Sequence, residues 1–250
     1  MNQDRIPFLA VSNAGLKAEN VSKYFDKKRV LNNISLNLNK GESVAILGPN
    51  GAGKTTLFYI LMGLIKSDLG TISLNGNNIG LLPMYRRAKL GLGYLPQESS
   101  IFRGLNVEEN ILSILQITYE DKKIQNQQLE KFLSEFGIEH LRYASSLSLS
   151  GGERRRLEIA RCLASNPSFI LLDEPLAGID PIAVGEIKEL IQGLKKRNIG
   201  LLITDHNVKS ALEMVDRAYI VFEGKIISEG TPDEIIQDSE VRRVYLGNTF

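Results

Sequence analysis

Two kinds of apolar pattern organise the chain. Residues 16–38 hold short alternating stretches, Leu16-Lys17-Ala18-Glu19-Asn20-Val21 and Ile34-Ser35-Leu36-Asn37-Leu38. That is the period-two pattern of half-exposed antiparallel strands. Runs at 44–47, 169–172, 200–204 and 218–222 are largely apolar without alternation, as strands buried on both faces are. The spacing changes elsewhere. Residues 55–64 are long enough for a buried helix, and Leu129, Phe132, Leu133 and Phe136 fall at i, i+3, i+4 and i+7. Gly137 is placed to end that helix. Further helices are predicted at 153–164, at Pro232–Gln237 and at 240–246. From about 98 to 165 the pattern is mostly helical, a block set between strands. The expectation is an α/β chain folding as one unit over 1–250. Its core is drawn from 1–96 and 166–250, with an antiparallel part first and helices last, and 97–165 forms a helical lobe.

Chemistry enters at the end of the first buried strand. Gly48-Pro49-Asn50-Gly51-Ala52-Gly53-Lys54-Thr55-Thr56 follows 44–47 and leads into a helix, the strand–loop–helix context of a phosphate-binding loop. Gly51 and Gly53 let the backbone wrap a polyphosphate. The amides from Gly51 to Thr56 then face its oxygens from a positive helix end. Lys54 brings a full charge to the β and γ phosphates, and the Thr55 hydroxyl suits a magnesium ion. Nucleotide binding is the expectation.

Composition narrows the partners. Lys plus Arg total 30 against 29 Asp plus Glu, so no global field favours nucleic acid or an anionic membrane. Cys162 is the one cysteine, which rules out an internal disulfide, fits a reducing compartment and reads as a core residue. Asp4, Arg5 and Pro7 interrupt the opening residues, which do not read as a secretory leader. No apolar run approaches the roughly 18 residues that span a bilayer. Any membrane step therefore needs another chain.

The strand 169–172 ends in Asp173-Glu174-Pro175. Successive strand side chains point to opposite faces, so both acids reach one site only if the strand stops there, as Pro175 suggests. In a phosphate-loop enzyme the first acid holds magnesium, directly or through water, and the second polarises an attacking water. His206 follows strand 200–204 and emerges at the same sheet edge, whereas His140 reads as surface. Leu149-Ser150-Gly151-Gly152-Glu153 precedes helix 153–164. Ser150 and Glu153 suit a capping box. The two glycines instead suggest an anion approaching the backbone, with Arg154, Arg155 and Arg156 crowding that end; three solvated arginines are the alternative.

These motifs, with Gln97 in Leu95-Pro96-Gln97 and with Ala177-Gly178-Ile179-Asp180, resemble the ATP-binding-cassette family in order and over nearly the whole chain. The resemblance implies a phosphate-loop NTPase fold: a RecA-like α/β core, an antiparallel β subdomain and an inserted helical subdomain. It implies a head-to-tail homodimer with each ATP–Mg²⁺ between one chain's phosphate loop and the other's Ser150, Gly151 and Gly152. Gln97 would then sense magnesium and the membrane partner, and His206 would touch the γ-phosphate. Phe25, with Tyr24 as its rival, would stack on adenine. Glu153 stands where glutamine is commoner, and Ala177-Gly178-Ile179-Asp180 replaces the usual Ser-Ala-Leu-Asp. Within the family, Gly93-Tyr94-Leu95-Pro96-Gln97-Glu98, Ser100-Ile101-Phe102-Arg103 and Thr204-Asp205-His206-Asn207-Val208 most resemble the ATPases of lipopolysaccharide export. Arg243-Val244-Tyr245-Leu246-Gly247 does so too, and branched-chain amino-acid importers are the rivals. Such an exporter's ATPase is a homodimer lying on the cytoplasmic face of the inner membrane beneath two permease subunits. Ile101 and Phe102 are candidates for gripping a permease helix, with burial in the helical lobe as the alternative.

Overall fold

The computed structural model describes residues 15–247, so all but the last of the opening fifteen lie outside the described residues. In chain order the elements are β1 (Leu16–Phe25), β2 (Lys28–Leu38), β3 (Ser43–Leu47), α1 (Lys54–Met62), β4 (Leu69–Leu74) and β5 (Asn77–Asn78). They continue with α2 (Met84–Lys89), β6 (Leu92–Leu95), α3 (Val107–Thr118), α4 (Lys122–Glu135), α5 (Gly151–Ala164), β7 (Phe169–Asp173) and α6 (Pro181–Lys196). The last are β8 (Gly200–Thr204), α7 (Val208–Leu212), β9 (Arg217–Phe222), β10 (Lys225–Gly230), α8 (Pro232–Gln237) and α9 (Ser239–Val241). After α9 the chain makes a π-helical turn over Arg242–Leu246.

Two sheets result. The first, ordered β2-β1-β4-β5, is antiparallel. The second is ordered β10-β9-β3-β8-β7-β6; β9, β3, β8, β7 and β6 run parallel and β10 closes one edge antiparallel. Period-two geometry explains why the parallel strands are apolar throughout. In β3, Val44 and Ile46 enter one core, while Ala45 and Leu47 enter the other. Phe169 and Leu171 of β7 divide from Ile170 and Leu172 in the same way.

Helix α1 fills the space between the sheets. Leu57, Phe58, Ile60, Leu61 and Met62 are fully buried, packed with Leu16, Leu31 and Ile34 of the antiparallel sheet and Phe169 and Leu202 of the parallel one. Only Thr55 and Tyr59 of this helix are exposed, so it is for the most part a core helix. On the opposite face of the parallel sheet α5 and α6 pack against the strands, and α3 and α4 pack in turn on α5. Leu129, Phe132, Leu133 and Phe136 face that core, and Gly137 ends α4 at φ 60°. Cys162 lies partly buried, and burial pushes its thiol up to about 11.

The carbonyl end of α1 carries an unusual plug. Arg87 of α2 is 1% exposed. Its guanidinium donates to the carbonyls of Ile60 (2.7 Å), Leu61 (2.6 Å), Leu82 (2.8 Å) and Gly80 (3.1 Å). A helix leaves its last carbonyls without internal donors, and a cation there also opposes the helix dipole. Burial pulls Arg87 down to about 10, so it stays charged at neutral pH. Arg87→Met is expected to cost about 3 kcal/mol, because buried carbonyls lose their donor. A denaturant midpoint unchanged from wild type would contradict this.

Candidate active site at the carboxyl edge of the parallel sheet

Strands β3, β8 and β7 are neighbours, and Thr204 is the register partner of both Ile46 and Asp173. Whatever follows each strand therefore meets at one edge, the place where ligands of open α/β sheets bind. Loop 48–53 follows β3, Asp173 and Glu174 end β7, and His206 follows β8.

The loop's shape is imposed partly by its neighbours. Gly48 has φ 150°, and a Cβ there would lie 2.0 Å from the Val221 carbonyl oxygen. Gly53, at φ 108°, would place one 2.7 Å from Leu31 Cδ2 and 3.0 Å from the Val30 carbonyl oxygen. These two glycines thus serve packing against β9 and β2, which the sequence reading did not foresee. Helix α1 then starts at Lys54, with no side-chain cap and no acid in its first turn. Lys54 is 8% exposed and donates to the carbonyls of Gly48 (2.6 Å) and Pro49 (3.0 Å). Burial lowers its pKa, against the opposing pull of Glu174 and Asp173.

A cavity of about 240 Å³ opens over this helix end, lined by Val30, Asn50, Gly51, Gly53, Lys54, Thr55, Thr56, Glu174 and His206. Gly48, Pro49 and Ala52 are not in its lining. Glu174 sits at φ 47° just past β7, and its Oε1 lies 2.5 Å from His206 Nε2. Its Oε2 is buried without a partner. Burial raises the Glu174 pKa; His206 opposes that shift, while Asp173 and Asp205 add to it. Asp173 accepts from Thr204 Oγ1 at 2.6 Å, with Tyr94 OH at 3.4 Å from its other oxygen. Tyr94 and Thr204 were missed from sequence; the one clue was a hydroxyl closing an otherwise apolar strand. Asp205, 7% exposed with Oδ2 buried and unpartnered, was missed too.

The other expected residues lie apart from this cavity. Gln97 lines a second cavity of about 170 Å³ with Gly151, Arg154, Arg155 and Gly178. Phe25 and Tyr24 are 47% and 39% exposed at the end of β1. The Lys23 ammonium stands over the Phe25 ring and the Arg29 guanidinium over the Tyr24 ring. Ile101 is buried, whereas Phe102 is exposed with the Arg161 guanidinium 4.5 Å from its ring centre.

At 149–153 the structure corrects two expectations. Helix α5 begins at Gly151, not at residue 153, and Ser150 and Glu153 do form the capping box. Gly152 has a packing reason, since its Cβ would lie 2.9 Å from Ala183 Cβ on α6. The three arginines do not share one solvated face; Arg154 and Arg155 line the cavity with Gly151. Arg155 is 6% exposed and bonds within the chain, Arg156 pairs with Glu186 at 2.5 Å, and Arg154 donates to the Leu149 carbonyl.

The uncapped helix end, the buried lysine and the orphaned carboxylate oxygen are what a polyphosphate with an attacking water requires, on a phosphate-loop α/β fold. Residues 31–177 match the family model for ABC transporters, and 225–250 match that for the branched-chain amino acid ATP-binding cassette transporter. A probable ABC transporter ATP-binding protein of Azorhizobium caulinodans is 53% identical over 96% of this chain and 86% of its own length. The lipopolysaccharide export system ATP-binding protein LptB of Escherichia coli K12 is 52% identical over 95% of this chain and 99% of its own. Among solved structures, the ADP conformation of an ATP-binding cassette of an ABC transporter superposes with a TM-score of 0.82 at 30% identity. That alignment covers 94% of this chain and 99% of the other. A dimeric post-hydrolysis cassette bound to ADP and phosphate gives 0.75 at 25% identity, covering 87% and 98%. The chain belongs to the ABC transporter family, and it is a nucleotide-binding ATPase, the motor subunit of such a transporter. Members of the family work as dimers with membrane permeases, and no helix among the described residues is long and apolar enough to cross a membrane.

If Gly152 is set by packing, Gly152→Ala is expected to destabilise the fold by about 1–3 kcal/mol despite alanine's better helix propensity. Ala183→Gly in the same chain should restore most of the loss in urea midpoint. Failure of that rescue would return the glycine to a ligand-binding explanation.

Proposed function

We propose that this chain is the ATPase of a lipopolysaccharide exporter, working as a homodimer beneath two permease subunits on the cytoplasmic face of the inner membrane. The observation that carries the cargo is the 52% identity to LptB along nearly the full length of both chains. In this reading Lys54 and the amides of Gly51 to Thr56 hold the phosphates, supported by Gly48, Pro49, Asn50, Ala52 and Gly53 as the frame of the loop. Phe25 receives the adenine, with Tyr24 as the alternative. The partner's Ser150, Gly151 and Gly152 close over the γ-phosphate, which fits their distance from the phosphate loop within one chain. Residues 97–165 form the lobe that carries them, with 1–96 and 166–250 as the nucleotide core.

Magnesium fits the charge balance. Lys54 faces both Asp173 and Glu174, so a polyphosphate adds charge to a site that already holds more carboxylates than cations. Among the described residues no cluster of three or more acidic, His or Cys side chains forms a metal cage. Mg²⁺ commonly binds through few protein ligands plus phosphates and water; Thr55 and Asp173 would hold it here, with Gln97, which lines the separate cavity beside Gly151, as the third expected ligand. The ion would neutralise phosphate charge. Glu174, whose carboxylate burial makes more basic, takes the proton of the attacking water, and His206 holds Glu174 in place beside the γ-phosphate.

Glu174→Gln is expected to keep ATP affinity and lower kcat by about 100- to 10,000-fold. Lys54→Ala should weaken ATP binding by about 10- to 100-fold. Full turnover in the first, or unchanged affinity in the second, removes that role. A second cargo reading, a branched-chain amino-acid importer, is favoured by the match over 225–250. Purifying tagged Glu174→Gln from native membranes with ATP and identifying its permeases by mass spectrometry separates the two. Lipopolysaccharide-export permeases are expected; importer permeases would overturn the cargo and leave the motor standing.

A further inference from the structure

The cavity containing Gln97 and Gly151 is backed by a buried ion pair on α5. Arg155 and Glu158 are one turn apart, their side chains 7% and 3% exposed, with Nη1 and Oε2 at 3.0 Å. The bonds that leave this pair go to two loops. Arg155 Nη1 donates to the Pro96 carbonyl at 3.1 Å, and Nε donates to the Pro175 carbonyl at 3.0 Å. Glu158 Oε1 accepts from Ser99 Oγ at 2.7 Å and from the Ser100 amide at 2.9 Å. Pro96 immediately precedes Gln97, and Pro175 immediately follows Glu174. A single guanidinium therefore ties down the backbone next to both residues, from the helix whose first turn is Gly151-Gly152.

Three features argue that this is more than packing. Proline has no N–H, so at both positions the carbonyl is the only backbone hydrogen-bonding handle. Glu174 holds φ 47°, a conformation that a non-glycine residue keeps only when its surroundings impose it. A buried ion pair is also a poor way to gain stability, because apolar residues of similar volume often serve as well. Only the planar guanidinium presents donors at fixed angles to two acceptors at once.

We propose that Arg155, locked by Glu158, is a positioning residue for ATP hydrolysis, fixing Gln97 and Glu174 relative to each other and to the start of α5. The inference rests on the roles given above to Gln97 and Glu174. It concerns how they are held, not the bonds they make to nucleotide.

The test compares full-length wild type with Arg155→Lys, the paired Arg155→Met/Glu158→Met, Gln97→Ala and Glu174→Gln, reading ATPase kcat, KM for ATP and thermal midpoint. Arg155→Lys keeps the charge and loses the fork. It is expected to lower kcat by about 10- to 100-fold, as a shift of about 1 Å in a positioned group can, while KM stays within about threefold. In the Gln97→Ala background the same change should lower kcat far less, because the two act as a unit. The paired apolar variant removes both charges, so no lone buried charge is left; it should fold and be as slow as Arg155→Lys. Turnover within about twofold of wild type in either Arg155 variant would overturn the proposal, as would additive losses with Gln97→Ala. If one Arg155 variant does not fold, the other carries the test. Wild-type turnover in both Glu174→Gln and Gln97→Ala would instead show that the underlying site reading is wrong, whatever the Arg155 variants do.

Discussion

The two ends of helix α1 are satisfied by different means, and the rest of the molecule depends on that asymmetry. Most of the helix is buried between two sheets, and its two ends differ in what they face. At the carbonyl end the Arg87 guanidinium takes up Ile60 and Leu61, and Gly63 closes the turn in the left-handed conformation. At the amide end there is no side-chain cap and no acid. A buried cation at one end and an open positive end at the other leave an anion as the group that completes the helix. Loop 48–53 keeps that end open because it cannot relax. It is pressed against Val221 on one side and Val30 and Leu31 on the other, and only glycine fits at the two contacts. The phosphate cradle is thus a consequence of how tightly the loop is packed against its own strands.

Strands were the legible part of this fold. Parallel strands buried on both faces have no polar face to blur them, and 200–204 was read to the residue, with 44–47, 169–172 and 218–222 one residue short of the observed strands. Helix starts were less visible. Helix α5 begins two residues earlier than expected because glycine propensity argued against Gly151 and Gly152, while contact with α6 outweighed propensity. The motif residues around the phosphate loop could be placed because the chain itself brings β3, β7 and β8 side by side. Arg155 could not. Its partners are carbonyls, which carry no side-chain signature, and Pro96 and Pro175 lie far from it in sequence. Sequence pattern therefore locates what a strand delivers to its end, and it misses what a side chain does to distant backbone.

The two helix ends that the sequence marked for phosphate differ in a way that orders them. Helix α1 offers its amides uncovered. Helix α5 is already served: Glu153 Oε2 accepts from the Ser150 amide at 2.8 Å and from Ser150 Oγ at 2.7 Å, while the Glu153 amide donates to Ser150 Oγ. Those bonds to Ser150, with help from Arg156, hold the Glu153 carboxyl below its ordinary range, so it is ionised at neutral pH. A phosphate approaching Ser150 thus meets a full negative charge at the helix end that would otherwise attract it. A glutamine there would keep the same geometry without that charge. Helix α1 therefore attracts an anion at its start more strongly than helix α5 does.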